Sequence, residues 1–323
     1  MKPLLLILDD WEGLVAASPC WDSLKELVDI KFLPISIDQV PDAELSNVNF
    51  LIAMRERTAL TEQVFARLPQ LKLVLQTGGH AYHIDQAAAQ KRGIAIALGR
   101  HIKAPLASVP EITMAMMLGL MHLLPQAQHA MRAGEWPLLT GRTLTGRRLG
   151  ILGMGRHGNN VARIAKTAFN MDVVAWERTN GSATKADDIL RLPLDELLRT
   201  SDVVSIHLRL SLESTGLLNA ERLQTMKPGS VLINTSRGAI IDEAALLDVL
   251  KHGPLAGAGL DVFTHEPLPA DSPLRSLNNV MLTPHIGWTV EEVFAEFAEI
   301  ACTQLSQFLN GNLPASELLA PVG

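Results

Sequence analysis

The stretch Leu149–Gly158, read as Leu-Gly-Ile-Leu-Gly-Met-Gly-Arg-His-Gly, constrains the fold of this chain more than any other. It places a G-x-G-x-x-G pattern between an apolar run and a helical one. Gly153 allows a strand to turn sharply into a helix, Gly155 leaves room for a pyrophosphate, and Gly158 allows close helix–strand packing. The first helical turn would offer unpaired N–H groups to phosphates. The stretch therefore predicts a dinucleotide-binding unit, although glycine-rich turns without a ligand are common.

A second apolar strand, Val173–Trp176, follows the predicted helix and ends at Glu177. A carboxylate at this point of a dinucleotide-binding unit accepts hydrogen bonds from the ribose hydroxyls of NAD. Arg178 comes next and could instead meet the 2′-phosphate of NADP. We favour NAD, because Glu177 would repel that phosphate, and we leave NADP open.

The bulk properties fit a globular chain of two domains. Its 323 residues are the length of about two ordinary domains. The 47% hydrophobic and 19% charged residues are those of a protein with a large core. The net charge of −6 argues against nucleic acid or an anionic membrane as the main partner. We therefore expect neither kind of partner.

The chain has two cysteines, Cys20 and Cys302, without metal-ligand spacing or a disulfide framework. We interpret them as buried or inert thiols, expect no metal site, and predict a reducing compartment, the cytoplasm. The apolar start Leu4–Leu8 runs directly into Asp9 and Asp10. This start is typical of a buried strand and not of a signal peptide.

Strand-like and helix-like segments alternate over the first part of the chain. This rhythm predicts a parallel sheet covered on both faces, whose ligands collect at the carboxyl ends of the strands. Two loops follow predicted strands there, Met54–Thr58 and Gln76–His80. Arg55 is either a solvated loop residue or an anion ligand, and the paired glycines before His80 are either a turn or a set of N–H donors. The predicted strands are Leu4–Leu8, Lys31–Ile35, Phe50–Ala53, Lys72–Leu75 and Ile94–Ala97, and the predicted helices are Trp21–Val28, Thr61–Leu68 and Asp85–Arg92.

The pattern changes near residue 102. Ser108-Val109-Pro110-Glu111 has the form of a capping box and predicts a helix from Ile112 to Leu124. This helix is apolar on nearly every side, so it must be buried on more than one face. Packing against the chain's own sheet and against a second subunit would account for it. We therefore predict a homodimer.

The alternation resumes after Glu177 and ends in a long helix, Thr289–Leu309. Because that helix should return to the first domain, we predict a substrate domain of residues 1–102 and 290–323 and a dinucleotide-binding domain of residues 103–289. The segments predicted after Glu177 are the helices Leu194–Leu198, Ala220–Met226 and Asp242–Lys251 and the strands Asp202–Ile206, Ser230–Ile233, Gly257–Val262 and Val280–Leu282.

Three loops of the second half, each after a predicted strand, carry residue types used in catalysis. They read Asn234-Thr235-Ser236-Arg237-Gly238, Asp261-Val262-Phe263-Thr264-His265-Glu266-Pro267 and Thr283-Pro284-His285-Ile286-Gly287. In this order after G-x-G-x-x-G, they resemble the motifs of the D-isomer-specific 2-hydroxyacid dehydrogenases, and the resemblance covers essentially the whole chain. It implies an NAD-dependent oxidoreductase with two Rossmann-like parallel-sheet domains, one flavodoxin-like and one dinucleotide-binding. The active site would lie in the cleft between them, and the family usually forms homodimers through the dinucleotide-binding domain.

The resemblance also implies roles for individual residues. Arg237, Glu266 and His285 match the catalytic positions of the family, and Asp261 matches the position that contacts the nicotinamide amide. The backbone around Gly79 and His80 matches the loop that binds the substrate carboxylate. The implied substrate-binding residues are Arg55, Gly79, His80 and Trp288, and the implied cofactor-binding residues are Gly153, Gly155, Arg156, His157, Gly158, Glu177, Arg178, His207, Thr235 and Asp261.

These residue types suit the reduction of a 2-oxo acid, which needs a hydride donor, a proton donor and a cation for the carboxylate. Arg237 has a planar fork that matches carboxylate and ketone oxygens and keeps its charge. His285 is the side chain best suited to exchange a proton near neutral pH. Glu266 would orient the imidazole and stabilise its protonated form. We therefore expect hydride transfer between NAD(H) and a small D-2-hydroxy acid or 2-oxo acid.

Two other proteins of this architecture are alternatives. Formate dehydrogenase is disfavoured, because the family pattern has glutamine where this chain has Glu266. A non-enzymatic alternative is an NADH-responsive corepressor like the C-terminal-binding proteins, which a near-complete catalytic set does not exclude. A test for 2-oxo acid reduction discriminates between the enzyme and the corepressor.

Overall fold

The short apolar runs form parallel strands in the computed structural model, which describes residues 2–178 and 188–320. Every predicted strand overlaps one of the observed strands, whereas β8 has no counterpart among the predictions. The strands are β1 (Leu4–Ile7), β2 (Asp29–Phe32), β3 (Val48–Ala53), β4 (Leu73–Gln76), β5 (Ala95–Leu98), β6 (Arg148–Leu152), β7 (Asp172–Trp176), β8 (Leu190–Arg191), β9 (Val203–Ile206), β10 (Val231–Asn234), β11 (Gly257–Leu260) and β12 (Val280–Leu282).

Several helices begin at a side-chain cap. Thr61 accepts a hydrogen bond from the Val64 N–H at the start of α2, and Asp242 accepts one from the Ala245 N–H at the start of α9, which confirms the predicted cap. The helices are α1 (Asp42–Leu45), α2 (Glu62–Ala66), α3 (Gln86–Lys91), α4 (Pro105–Met121), α5 (Leu124–Arg132), α6 (Arg156–Phe169), α7 (Leu194–Thr200), α8 (Ala220–Gln224), α9 (Glu243–Lys251) and α10 (Glu291–Leu309).

The predicted helix Trp21–Val28 is wrong, because only a short 3-10 helix, Pro19–Ser23, forms in this region. The Trp21 indole is buried and donates a hydrogen bond of 2.7 Å to the Val15 carbonyl. This contact ties the segment back to the preceding loop. The amphipathic pattern of the sequence therefore reflects one buried face of a turn, not a full α-helix.

Within the described residues, β1 to β5 form a five-stranded sheet in the order β2-β1-β3-β4-β5. All of its strand pairs are parallel. The order reverses between β1 and β3, which is the flavodoxin-like arrangement and places ligands outside the carboxyl ends of the strands. The loops Leu8–Glu12, Met54–Thr58 and Thr77–His80 follow β1, β3 and β4 at that edge.

The remaining strands form a seven-stranded sheet in the order β12-β11-β10-β9-β6-β7-β8, again with parallel pairs throughout the described part. The order reverses between β6 and β9, as in doubly wound dinucleotide-binding folds. Strands β9, β10 and β11 are buried along their whole length. Burial on both faces explains why they read as continuous apolar runs and not as alternating ones. The predicted fold class is confirmed.

Helix α4 begins before the predicted capping box, so that prediction is wrong. The helix starts at Pro105 and has Pro110 inside it. A proline inside a helix leaves the carbonyl four residues earlier without its donor. Here that carbonyl belongs to Leu106, and the side-chain amide of Asn160 donates to it at 2.9 Å. The helix ends at Met121, and Leu123 follows with a left-handed φ of 58°.

Many apolar side chains of α4 are buried against the seven-stranded sheet and against α6. Its methionines, Met114, Met116, Met117 and Met121, are buried, and the helix packs against α6, β10, β11 and β12. Its predicted packing against the chain's own sheet is thus observed, whereas its predicted packing against a second subunit stays a prediction. Large exposed apolar side chains also lie just after α5, where Trp136 is 84% and Leu138 97% exposed.

The described residues form two compact units, one within Met1–Ala104 and Val290–Gly323 and one within Pro105–Thr289. We call them unit 1 and unit 2. The substrate and dinucleotide roles predicted for residues 1–102 with 290–323 and for residues 103–289, and the cleft between the two, stay predictions.

Across residues 2–178 and 188–320, no single helix is long and apolar enough to cross a membrane. Helices α4 and α5 meet that test only together, across a bend of 67°.

Candidate active site

The turn between β6 and α6 has the shape that its three glycines predict. Gly153 has a φ of 98°, and a Cβ there would lie 2.7 Å from the His207 carbonyl oxygen. A Cβ on Gly158 would collide with the carbonyl of Gly153, whereas one on Gly155 would meet no atom of residues 2–178 or 188–320 within 4 Å. Helix α6 begins at this open space without a side-chain cap. Its first N–H groups are therefore available to an anion.

Two predicted cofactor residues, His157 and His207, lie beside this turn as neutral rings. Burial lowers the pKa of His207 to about 3, and the neighbouring His157 adds to that shift. Burial, followed by the charge of Arg156, also lowers the pKa of His157. The Nδ1 atom of His157 is buried and has no hydrogen-bond partner among the described residues. The turn therefore combines positive helix-end potential with a polar atom that a ligand could satisfy.

Glu177 follows β7, as predicted, and its carboxylate is paired. The Nε atom of Arg191, on the neighbouring strand β8, lies 3.0 Å from Glu177 Oε2. Arg178 pairs instead with Glu213 at 3.1 Å, and both of these side chains are largely exposed. An exposed pair of this kind contributes little to stability. Arg191 fixes the direction of the Glu177 carboxylate, a contact that the sequence did not reveal because β8 was not predicted.

The loop after β10 is held by its own polar side chains. The Asn234 side chain accepts a hydrogen bond from the Ser236 N–H at 3.0 Å and donates one to the Arg237 carbonyl at 2.9 Å. Gly238 lies so close to the backbone of Phe263 that a Cβ would collide with it. Thr235, a predicted cofactor residue, has its hydroxyl 3.1 Å from that of Thr113 on α4. These contacts fix the backbone from which Arg237 projects.

Asp261, directly after β11, shapes the loop that carries His285. Its carboxylate accepts hydrogen bonds from the Thr283 hydroxyl at 2.5 Å and from the N–H groups of Ile286 and Gly287 at 2.8 Å each. His285 itself has a left-handed φ of 56°. That conformation is strained for a residue other than glycine, and it persists only where its surroundings enforce it. Asp261 therefore acts on the loop, in addition to any contact with the nicotinamide that the resemblance implies.

Glu266 and His285 form a hydrogen-bonded pair. Nδ1 of His285 lies 2.7 Å from Oε2 of Glu266, and the other Glu266 oxygen accepts a hydrogen bond of 2.9 Å from the Phe263 N–H. Burial pushes the pKa of Glu266 upward, but the hydrogen bond and charge of His285, the Phe263 N–H and the charge of Arg237 together bring it below its ordinary value. Glu266 is therefore an anion at neutral pH and favours a protonated imidazole.

Unit 2 thus brings its three predicted catalytic residues to one edge of one sheet. Arg237 follows β10, Glu266 lies in the loop after β11, and His285 follows β12. The Arg237 charge acts on Glu266, which in turn contacts His285. Trp288, predicted to contact substrate, comes directly after this loop and is half-buried. The arrangement can hold an anion at Arg237 and exchange a proton at His285.

In unit 1, Arg55 also has a left-handed backbone, with a φ of 54°. Its N–H donates to the Thr77 hydroxyl at 2.8 Å, and its carbonyl accepts a bond of 3.3 Å from the Gln76 amide. A Cβ on Gly78 would lie 2.9 Å from Arg55 Nη1, whereas one on Gly79 would meet nothing within 4 Å. The glycine loop and Arg55 therefore lie together, and their role in binding an anion stays a prediction.

Glu56 adds a negative charge to this group that sequence reasoning missed. Its Oε1 lies 3.0 Å from His80 Nε2 and its Oε2 lies 3.6 Å from Arg55 Nε. The His80 ring also stacks on Tyr82, with ring centroids 4.6 Å apart. Glu56 was visible in the motif Met54–Thr58, but sequence alone did not show which way it points. It offsets part of the positive charge of Arg55.

Comparison with known proteins identifies the family. The family model for the D-isomer specific 2-hydroxyacid dehydrogenase, NAD binding domain, matches residues 114–287, which is more than half of the chain. This chain belongs to the D-isomer specific 2-hydroxyacid dehydrogenase family. The predicted family is thus confirmed, and with it the class of NAD-dependent 2-hydroxyacid dehydrogenases and reductases and NAD as the cofactor.

Several members of the family are similar along most of the chain. D-3-phosphoglycerate dehydrogenase of Bacillus subtilis is 36% identical over 91% of this chain, which spans 57% of that protein's length. Hydroxypyruvate reductase of Blautia hydrogenotrophica is 32% identical over 94% of this chain and 93% of its own length. The D-lactate dehydrogenase structure from Aquifex aeolicus, complexed with NAD and lactic acid, is 27% identical with a TM-score of 0.81 over 99% of this chain and all of its own.

The residues present fit NAD. The space in front of Gly155, the uncapped start of α6 and the unpartnered His157 Nδ1 suit a diphosphate. Glu177, directed by Arg191, suits a ribose diol.

Proposed function

We propose that this dehydrogenase transfers hydride between NAD(H) and a small D-2-hydroxy acid or the corresponding 2-oxo acid. The observation that carries the proposal is the 2.7 Å contact between His285 Nδ1 and Glu266 Oε2, beside Arg237 and on the sheet that carries the glycine turn. A proton donor, its carboxylate partner and a fixed cation are the groups that reduction of a 2-oxo acid requires.

In the proposed mechanism NAD(H), when bound, supplies or accepts the hydride. The glycine turn and α6 would hold its diphosphate, with Glu177 at the ribose. Arg237 binds the carboxylate and carbonyl oxygens of the 2-oxo acid and keeps its charge at all relevant pH values. Protonated His285 gives the proton from Nε2 to the developing alkoxide, while Nδ1 stays hydrogen-bonded to Glu266. In the oxidative direction, neutral His285 takes the hydroxyl proton.

The assignment of Glu177 to the ribose is open to a direct test. Glu177→Ala should raise the KM for NADH about tenfold, the effect of losing about 1.4 kcal/mol of hydrogen bonding, and should reduce discrimination against NADPH. Glu221→Ala, which removes an exposed carboxylate on α8, is the control. A wild-type enzyme that already prefers NADPH would mean that Arg178 binds a 2′-phosphate and that the assignment is wrong.

The substrate is proposed as a class. The names of three relatives refer to 3-phosphoglycerate, hydroxypyruvate and lactate, all of which are small 2-hydroxy or 2-oxo acids. Arg55, Gly79, His80 and Trp288 are proposed substrate contacts. Because the Glu56 carboxylate lies against both Arg55 and His80 and offsets part of the Arg55 charge, we favour a substrate with one carboxylate over one with an additional phosphate.

A spectrophotometric screen of glyoxylate, pyruvate, hydroxypyruvate and 3-phosphohydroxypyruvate with NADH tests the proposal. We expect NADH oxidation with at least one of the monocarboxylates, and the D-isomer as product where the product is chiral, as it is from pyruvate and hydroxypyruvate. No turnover with any 2-oxo acid, together with tight NADH binding, would favour the corepressor-like alternative. Preference for the phosphorylated substrate would contradict the role given to Glu56.

Assembly and location are proposals of the same kind. We propose a homodimer formed through unit 2, with the exposed Trp136 and Leu138 in the contact, because large exposed apolar side chains mark interaction surfaces. Light scattering at micromolar concentration should give twice the chain mass, and a stable monomer would rule the dimer out. A cytoplasmic location is proposed on the thiol content alone.

A further inference from the structure

The two cysteines of the chain meet in unit 1. Cys20 and Cys302 are 282 positions apart in sequence, yet their sulfur atoms lie 2.6 Å apart. Both are free thiols, and the chain contains no other cysteine. The sequence interpretation as buried or inert thiols did not include this contact, because spacing along the chain carries no information on which residues packing brings together.

Each of the two cysteines lies in a helix. Cys20 lies in the 3-10 helix Pro19–Ser23, and Cys302 lies in the middle of α10, against which that short helix packs. The next residue, Trp21, is buried, bonded to the Val15 carbonyl and in edge contact with Phe32. Neither thiol is on a free loop, so packing holds the pair together.

The two thiols differ in access to solvent. Cys20 is half-buried beside the exposed Pro19, whereas Cys302 is buried. Burial raises the pKa of the Cys302 thiol, and the neighbouring Cys20 and the charge of Glu299 raise it further. A small reagent therefore meets Cys20 first, and Cys302 reacts only with what is already bound to Cys20.

We propose that Cys20 and Cys302 are a reversible dithiol–disulfide site that low-molecular-weight disulfides oxidise. In the first step the Cys20 thiolate attacks the reagent disulfide, forms a mixed disulfide and releases one reagent thiol. In the second step Cys302, after losing its proton, attacks the Cys20 sulfur of the mixed disulfide. The Cys20–Cys302 bond forms and the second reagent thiol leaves. Two protein thiols are oxidised and one reagent disulfide is reduced.

The bond would close a loop from the N-terminal to the C-terminal part of unit 1. A cross-link over so long a stretch restricts the unfolded chain strongly, and the native thiols are already in contact. We therefore expect oxidation to raise the melting temperature of the protein by at least about 5 °C. The low thiolate fraction of Cys302 should make the second step the slower one.

The test uses the full chain, reduced and then exposed to glutathione disulfide in the absence of denaturant. We expect loss of both titratable thiols, a protein mass lower by two hydrogens, and a cross-linked peptide that contains residues 20 and 302. Dithiothreitol should restore the thiols and the lower melting temperature. Failure to lose both thiols, a stable mixed disulfide at Cys20, or a disulfide between two chains would each overturn the proposal.

Two serine variants separate the steps. Cys302→Ser should stop at one glutathione bound to Cys20, and Cys20→Ser should not react under native conditions. The melting temperature of neither variant should rise on oxidation. Equal glutathione uptake by Cys20→Ser would contradict the order of reaction. If a serine variant does not fold, the thiol titration and peptide map of the wild type still decide the proposal, independently of any dehydrogenase activity.

Discussion

One loop in each unit holds a predicted site residue other than glycine in the left-handed conformation shortly after a parallel strand, and the two can be compared. His285 follows β12 with a φ of 56°, and Arg55 follows β3 with a φ of 54°. In each case the first residue after the neighbouring strand holds the loop: Asp261 after β11 and Thr77 after β4. Both loops are therefore held by hydrogen bonds to a side chain that directly follows the neighbouring strand.

Asp261 and Thr77, which we call the anchors of the two loops, differ in charge. The Asp261 carboxylate accepts three hydrogen bonds from the His285 loop, whereas the Thr77 hydroxyl accepts one from the Arg55 N–H. Hydrogen bonds to an ionised group contribute about 1.5–3 kcal/mol each and neutral ones about 0.5–1.5 kcal/mol. We infer that the proton-transfer loop is the more firmly held, and that the Arg55 loop keeps more freedom to adjust to a ligand.

The largest expected effect tests whether the strained His285 is the proton donor. His285→Ala should lower kcat/KM for 2-oxo acid reduction by about 10²–10⁴-fold, the usual contribution of a general acid. It should also remove the fall of kcat/KM at rising pH that a general acid produces. His252→Ala, an exposed histidine after α9, is the matched control and should behave as wild type. A pH profile that survives in His285→Ala would assign the proton to another group.

The next effect tests the charged anchor. Asp261→Asn keeps the shape but replaces one accepting oxygen by an NH₂ group that faces a backbone N–H. We expect kcat to fall about 10- to 100-fold, more than KM rises, and the melting temperature to drop by about 5 °C. Asp242→Asn, which preserves a helix cap in the same unit, controls for the charge change. An Asp261→Asn enzyme with wild-type kcat would mean that the loop holds its strained form without this carboxylate.

A smaller effect tests whether the charge of Glu266 acts on the imidazole of His285. The pKa of Glu266 lies below its ordinary value, so Glu266 is ionised throughout the neutral range. Glu266→Gln keeps the hydrogen-bonding shape but removes the charge that favours imidazolium, so the falling limb should move to lower pH. We expect kcat/KM at neutral pH to fall about tenfold. A limb that stays in place or moves upward would show that Glu266 does not act through His285.

Much of the fold and of the candidate site could be predicted from the sequence. The features that could not be predicted all depend on contacts between residues that are distant in the chain. The glycine turn and the positions of most strands follow from local patterns, because positive φ, close backbone approach and continuous apolar runs leave marks on neighbouring residues. The start of α4 was missed because Asn160, far along the chain, supplies the donor that Pro110 lacks. Asp261 as a loop anchor, Glu56 beside His80 and the contact of Cys20 with Cys302 likewise depend on partners that the sequence does not specify.

The smallest effect tests the neutral anchor and, with it, the predicted role of Arg55. Thr77 is buried, and Thr77→Val removes its hydroxyl with little change in shape, leaving the Arg55 N–H without that acceptor. A hydrogen bond of about 1 kcal/mol corresponds to about fivefold in affinity, so we expect the KM for the 2-oxo acid to rise about fivefold at nearly constant kcat. Thr77→Ser keeps the hydroxyl and should restore the wild-type KM. If Thr77→Val instead lowers kcat as strongly as Asp261→Asn, the two loops do not differ as their anchors indicate, and the Arg55 loop takes part in the chemical step.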